Sequence, residues 1–248
     1  MKILIFIFSV ISFISCEKVD HYEEFYDNGN IKLKIELDEN RVRHGKFAEY
    51  YPDGNIKAIG KYINGKVEDS TFLYYENGKL REKGFWQNGY RQGWFITYRE
   101  DGRILKKEEF IKHEGQYLKN QHVVYDQHGK IEYSKSSFFI LNIPDTLKVG
   151  KNRLTLDYYD YLIKGDYNFL SVIIKNEYSE KEIKTDTFSD GTRNPFFGVY
   201  AYKKGELIIK GIIEEKILAQ TDMGNDSASL TITDKYKYFS RKVYVVEK

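Results

Sequence analysis

Aromatic, glycine and aliphatic positions recur along the first half of the chain with a period of about two dozen residues. Aromatic residues stand at Phe25, Tyr50, Tyr74, Tyr98 and Tyr125. Each is followed four positions later by glycine (Gly29, Gly54, Gly78, Gly102, Gly129) and two further on by an aliphatic residue (Ile31, Ile56, Leu80, Ile104, Ile131). The successive spacings are 25, 24, 24 and 27, a regularity that marks a repeat protein. Within a unit, Tyr51-Pro52-Asp53-Gly54 has the chemistry of a short hairpin loop, with proline fixing φ and glycine free to turn left-handed. About twelve residues later Asn64-Gly65 and Asn88-Gly89 supply a second turn, of the asparagine-glycine kind that two-residue hairpins favour. Two turns per unit leave room for two strands, so the pattern predicts an antiparallel meander.

Strand alternation predicts one persistently apolar face. Counted from each aromatic, it holds Ile31, Leu33, Ile35 and Leu37, then Ala48, Tyr50, Ile56, Ala58, Gly60 and Tyr62, then Phe72, Tyr74, Leu80, Gly84 and Trp86. The opposite face mixes Glu49, Lys57 and Lys61 with Tyr51, Ile59, Ile63, Leu73 and Tyr75. Rings laid over strand glycines such as Gly60 and Gly84 would brace the sheet. Some of the same rings could instead form a surface for sugar, lipid or peptide.

After about Phe138 the triplet stops. Apolar runs at 153–159, 168–175, 196–202, 206–213, 228–233 and 238–246 alternate with breaks such as Ser189-Asp190-Gly191-Thr192 and Met223-Gly224-Asn225-Asp226-Ser227. Six or seven strands without a convincing helix predict an immunoglobulin-like β-sandwich, with no cysteine available for an inter-sheet disulfide. The expected fold class is all-β: an antiparallel meander of β-hairpin repeats over 22–137, then the sandwich over 138–248. Ile143-Pro144 is a plausible joint, because a residue before proline is pushed towards extended conformations.

The stretch Gly84-Phe85-Trp86-Gln87-Asn88-Gly89-Tyr90-Arg91-Gln92-Gly93-Trp94-Phe95, running on to Tyr98 and Gly102, resembles the MORN-variant repeat of bacteria. The resemblance covers about residues 22 to 135. Asp69 replaces the glycine found at Gly45 and Gly93, Arg41 stands where Gly65 and Gly89 stand, and the last unit carries a three-residue excess. Proteins with such repeats are often labelled antitoxins of toxin-antitoxin systems, and classical MORN proteins are associated with membranes and scaffolding. The resemblance implies no catalytic residues.

At the N-terminus, Met1-Lys2 precede an apolar run from Ile3 to Ile14 and then Ser15-Cys16, the layout of a secretory signal. Twelve helical residues would cover only about 18 Å of a hydrocarbon core about 30 Å thick. Phe13-Ile14-Ser15-Cys16 resembles a bacterial lipobox, with Phe13 where leucine is usual. That resemblance implies a signal peptide over 1–15, lipid attachment at Cys16 and a tether over 16–21. Cys16 is the sole cysteine, so no disulfide competes for it. The expected location is the cell envelope, lipid-anchored, as in the outer membrane of a Gram-negative bacterium.

Charge and chemistry narrow the reading further. The 39 basic and 37 acidic residues nearly cancel and are interspersed, which argues against a nucleic-acid partner. No phosphate-binding loop, dinucleotide fingerprint, nucleophile elbow or zinc-protease helix is present, so no catalytic residues, cofactor or metal are expected. His113, His122 and His128, with Glu114 and Asp126, match no compact metal motif and read as solvated loop histidines. Asp186 to Gly191 lacks the alternating oxygens of a calcium loop. The expected function is non-catalytic binding of a protein or glycan through the repeat sheet. The alternatives are neutralisation of a cognate toxin and, less favoured, an enzyme acting on glycan.

Overall fold

The computed structural model describes residues 20–160, 165, 167–224 and 227–247, and Cys16 with its signal lies outside them. The described chain is all-β apart from a short 3-10 turn at Tyr133–Lys135. The repeats form nine strands: β1 Asp20–Phe25, β2 Ile31–Leu37, β3 Arg43–Tyr50, β4 Ile56–Ile63, β5 Lys66–Tyr74, β6 Leu80–Gln87, β7 Tyr90–Tyr98, β8 Ile104–His113 and β9 Gln116–Val124. Each pairs antiparallel with the next, so the meander is complete. The glycine of each triplet has φ between 77° and 88° and donates its N–H to the carbonyl three residues back, as Gly54 does to Tyr51 at 2.9 Å. Asn64-Gly65 and Asn88-Gly89 both turn with two positive φ angles, the mirror-image turn that matches strand twist. Glu114-Gly115 makes the same turn without asparagine.

The structure corrects the face assignment. Glu49 pairs with Ala58 and Ala48 with Ile59, so Ala48 and Ala58 lie on opposite faces. The cause is a bulge: between the pairs Tyr50–Ile56 and Glu49–Ala58, β4 carries one extra residue, Lys57. Lys32, Arg81 and Leu105 are the extra residues at the equivalent places in β2, β6 and β8. A second, wider bulge follows each later turn, at Gly45, Asp69 and Gly93, all with positive φ. Bulges increase local twist.

Neighbouring units are also stapled along the edge formed by their first turns. The hydroxyls of Tyr26, Tyr51 and Tyr75 donate to the carbonyls of Tyr50, Tyr74 and Tyr98 at 2.7, 2.8 and 2.7 Å. In the last unit Arg99 takes the tyrosine's place and donates to the Tyr125 carbonyl at 2.7 Å. These bonds repeat the sequence period in three dimensions, and each satisfies a backbone acceptor at a strand end.

The rest of the chain forms β10 Ser137–Asn142, β11 Thr146–Lys148, β12 Gly150–Asp160, β13 Tyr167–Glu177, β14 Ile183–Phe188, β15 Phe196–Ala201, β16 Gly205–Gly224 and β17 Ser227–Val246. One group runs β10-β12-β15 and the other β14-β13-β16-β17-β11, joined by the single pair Glu177–Ala201. Both contribute to one core: Leu154, Leu156, Tyr158 and Phe197 from the first group meet Val172, Ile174, Ile213 and Phe239 from the second. The two runs expected at 228–233 and 238–246 are a single strand of 20 residues, paired along its length with the equally long β16.

Candidate binding surfaces

The two faces of the repeat sheet differ in how they are finished. On one, Ile35 and Phe95 are each only 1% exposed. Their cover comes from the same face. The Phe95 ring lies over Gly84, where an added Cβ would approach it to 2.3 Å, and Phe47 lies over Gly60. Trp86 and Phe110 meet Phe95 edge-on at 5.8 and 5.4 Å, and Trp86 Nε1 donates to Thr71 Oγ1 at 2.8 Å. The Arg91 guanidinium sits 4.5 Å from the Phe95 ring centre and pairs with Glu82 at 3.2 Å. This face is sealed by its own rings.

The other face is open. The strand register places Ala48, Ile59, Phe72, Phe85, Trp94 and Ile96 on it, and Phe85 and Trp94 remain 42% and 40% exposed. A depression of about 500 Å³ over β2 to β5 is floored by Ala48, Ile59 and Phe72 and edged by Lys34, Lys46 and Lys61 together with Glu36 and Asp69. Another, of about 400 Å³, lies between Trp94, Ile96, Val123 and Phe138. Apolar floors with polar and charged rims suit an amphipathic partner.

The open face ends where β8 and β9 meet the C-terminal strands, and that junction is a polar lock. Asn120 is the extra residue of a bulge in β9. Its amide donates to the Tyr238 carbonyl and accepts from the Tyr238 N–H, both at 2.8 Å, as a neighbouring strand would. Gln121 Oε1 accepts from the Phe139 N–H at 3.0 Å, and Glu109 receives both amides at 2.6 and 2.8 Å. Lys237, 6% exposed, donates to the Asn120 carbonyl at 3.0 Å and to Ser137 Oγ at 2.6 Å. Ser137 in turn donates to Asp160 at 2.5 Å, and Lys235 pairs with the same carboxylate at 2.9 Å. Burial pushes the Lys237 ammonium down to about 8, opposed by the charge of Asp160. A serine beside a lysine invites a nucleophile-and-base reading. Here both groups are buried, the lysine donates to the serine, and Ser137 lines none of the three cavities described. The pair pins the two halves together.

A third and larger cavity, about 800 Å³, opens beside this lock. Its walls come from β7 to β9 on one side and from β10, β13, β14, β16 and β17 on the other. His113 stacks on Tyr238 at its margin, with ring centres 3.8 Å apart. Burial, then the nearby Glu114 carboxylate, raises the Tyr238 hydroxyl above the ordinary tyrosine range.

The histidines singled out in the sequence do not converge. His113 is held by Tyr238, His128 sits in the last turn beside Gln127, and His122 lies half-buried against Glu108. Burial, opposed by Glu108, pushes the His122 imidazole down, so it is not a solvated loop residue. Among the described residues no three histidine, cysteine, aspartate or glutamate side chains form a group able to hold a metal. Asp186 accepts from Asn176 and Tyr178 at 2.7 and 2.8 Å, and Asp190 from Thr192 at 2.7 Å, as structural and turn carboxylates do. Asn120 and Lys237 carried no motif; the irregular length of the last unit was the one available signal.

Fold and site together define an all-β repeat protein whose repeat sheet has one sealed and one open face. The repeats at residues 21–38, 43–64 and 71–88 match the family model of the MORN repeat variant. No curated protein and no solved structure matches the chain.

Proposed function

We propose that this protein is a non-catalytic binding protein of the cell envelope, anchored by lipid at Cys16, that holds a protein or glycan partner on the open face of its repeat sheet. The carrying observation is the asymmetry of that sheet. Phe85 and Trp94 stay exposed beside apolar depressions, although the same chain buries Phe95 completely on the other side. Exposed rings grouped on one face favour contact with a partner. The signal layout that ends at Cys16 supports the anchoring.

The test is capture from envelope extracts by the full chain and by Phe85→Ala and Trp94→Ala. Loss of the captured partner with the melting temperature held is the expected result; undiminished capture by both variants overturns it. For the anchor, Cys16→Ala should move the protein out of the membrane fraction. Equal membrane recovery of that variant would remove the lipid from the reading.

A further inference from the structure

The junction cavity presents three kinds of group that no neighbour in the fold answers. The first is cationic. Lys175 and Lys210 flank the paired residues Ile174 and Gly211, so they stand side by side on adjacent strands. Among the described residues neither lies within 4.0 Å of a carboxylate. The acidic groups of the cavity are Glu109, engaged by Asn120 and Gln121, and Glu114, whose side chain is directed to solvent beside His113. The second is aliphatic: Ile111, Ile173 and Ile212 line the cavity. The third is a single acceptor, Gln92 Oε1, which is buried and has no hydrogen-bond partner. A buried acceptor left unpaired costs about 1–3 kcal/mol, and a ligand donor would recover it.

We propose that this cavity binds a short acidic peptide segment bearing a large apolar side chain. Its carboxylates meet Lys175 and Lys210, its apolar side chain lies on Ile173 and Ile212, and a backbone N–H donates to Gln92 Oε1. An alkyl carboxylate would satisfy the first two groups and leave Gln92 unpaired. A neutral sugar would leave both the lysines and the aliphatic wall unanswered. A volume of about 800 Å³ accommodates a few residues. This site is separate from the open face of the repeats proposed above.

The test is fluorescence anisotropy of a labelled hexapeptide of alternating aspartate and leucine with the full chain, beside the same peptide carrying lysine for aspartate, and with decanoate as competitor. Saturable binding of the acidic peptide is expected, at least about tenfold weaker for the basic one. The double variant Lys175→Glu, Lys210→Glu should lose about tenfold in affinity, and Gln92→Leu should weaken binding while leaving the melting temperature unchanged or higher. Ile59→Ser, on the open face away from the cavity, should bind as the parent does. Equal affinity for the two peptides, no response to the lysine reversals, an equal loss in Ile59→Ser, or binding of decanoate in place of the peptide would each overturn the proposal.

Discussion

Asp69 holds, at φ 69°, the backbone position that Gly45 and Gly93 fill in the flanking units. A left-handed conformation is unfavourable for any residue with a Cβ, less so for aspartate than for most. Asp69→Gly is therefore expected to raise the urea midpoint, by about 0.5–1 kcal/mol of stability. Gly84→Ala acts in the opposite sense. Its new methyl meets the Phe95 ring, which is fixed between Trp86 and Phe110, and a loss of about 1–3 kcal/mol should appear in the same measurement. The two tryptophans should separate in the same way: Trp86→Ala lowers the melting temperature, whereas Trp94→Ala leaves it nearly unchanged. At this scale much was legible. The triplet spacing located the turns, and the glycine-ring contacts at Gly60 and Gly84 are where the sequence placed them. The parity of the faces was not legible, because the bulged residues Lys57 and Arg81 have no side-chain signature.

Strand β9 shows how a departure from a repeat becomes a joint. Where the preceding units insert a wide bulge at a positive-φ residue, β9 inserts only Asn120, and its amide pairs with the backbone of β17. Asn120→Leu keeps the volume and strands the N–H and C=O of Tyr238. The expected cost is roughly 2–3 kcal/mol, seen in chemical unfolding as a lower midpoint or as separate transitions for the two halves. The sequence showed that the last unit was irregular, but not that the irregularity faces a strand 118 residues away. It likewise divided β17 in two, because Asp234 and Lys235 interrupt its apolar run. Those positions pair with Lys216 and Glu215 of the long β16, and the strand continues through them.

Across the whole molecule, the lock at Lys237 couples stability to pH. The folded ammonium loses its proton near pH 8, whereas an unfolded lysine keeps it to 10.5. Between those values the unfolded chain binds more protons, so stability rises with pH there; below pH 8 the cost of burying the charge is present in full. Measured against Lys237→Met, which has no such group, the parent should gain up to roughly 3 kcal/mol from pH 7.5 to 10.5. A constant difference across that range would show that the folded lysine titrates as the unfolded one does, and would overturn the prediction.

The recurring bulges also make the length of the sheet a quantised property. Because each unit of 24 residues carries the same pair of register offsets, excising residues 50–73 joins Glu49 to Tyr74 with every remaining side chain still on its original face. The product should fold with two strands fewer, shortening the sheet by about 10 Å at a strand spacing of about 4.8 Å. An excision of 23 residues would turn all that precedes it inside out. The span of the open face can therefore grow or shrink by whole units without redesign, so partners of different size are within reach of simple duplication.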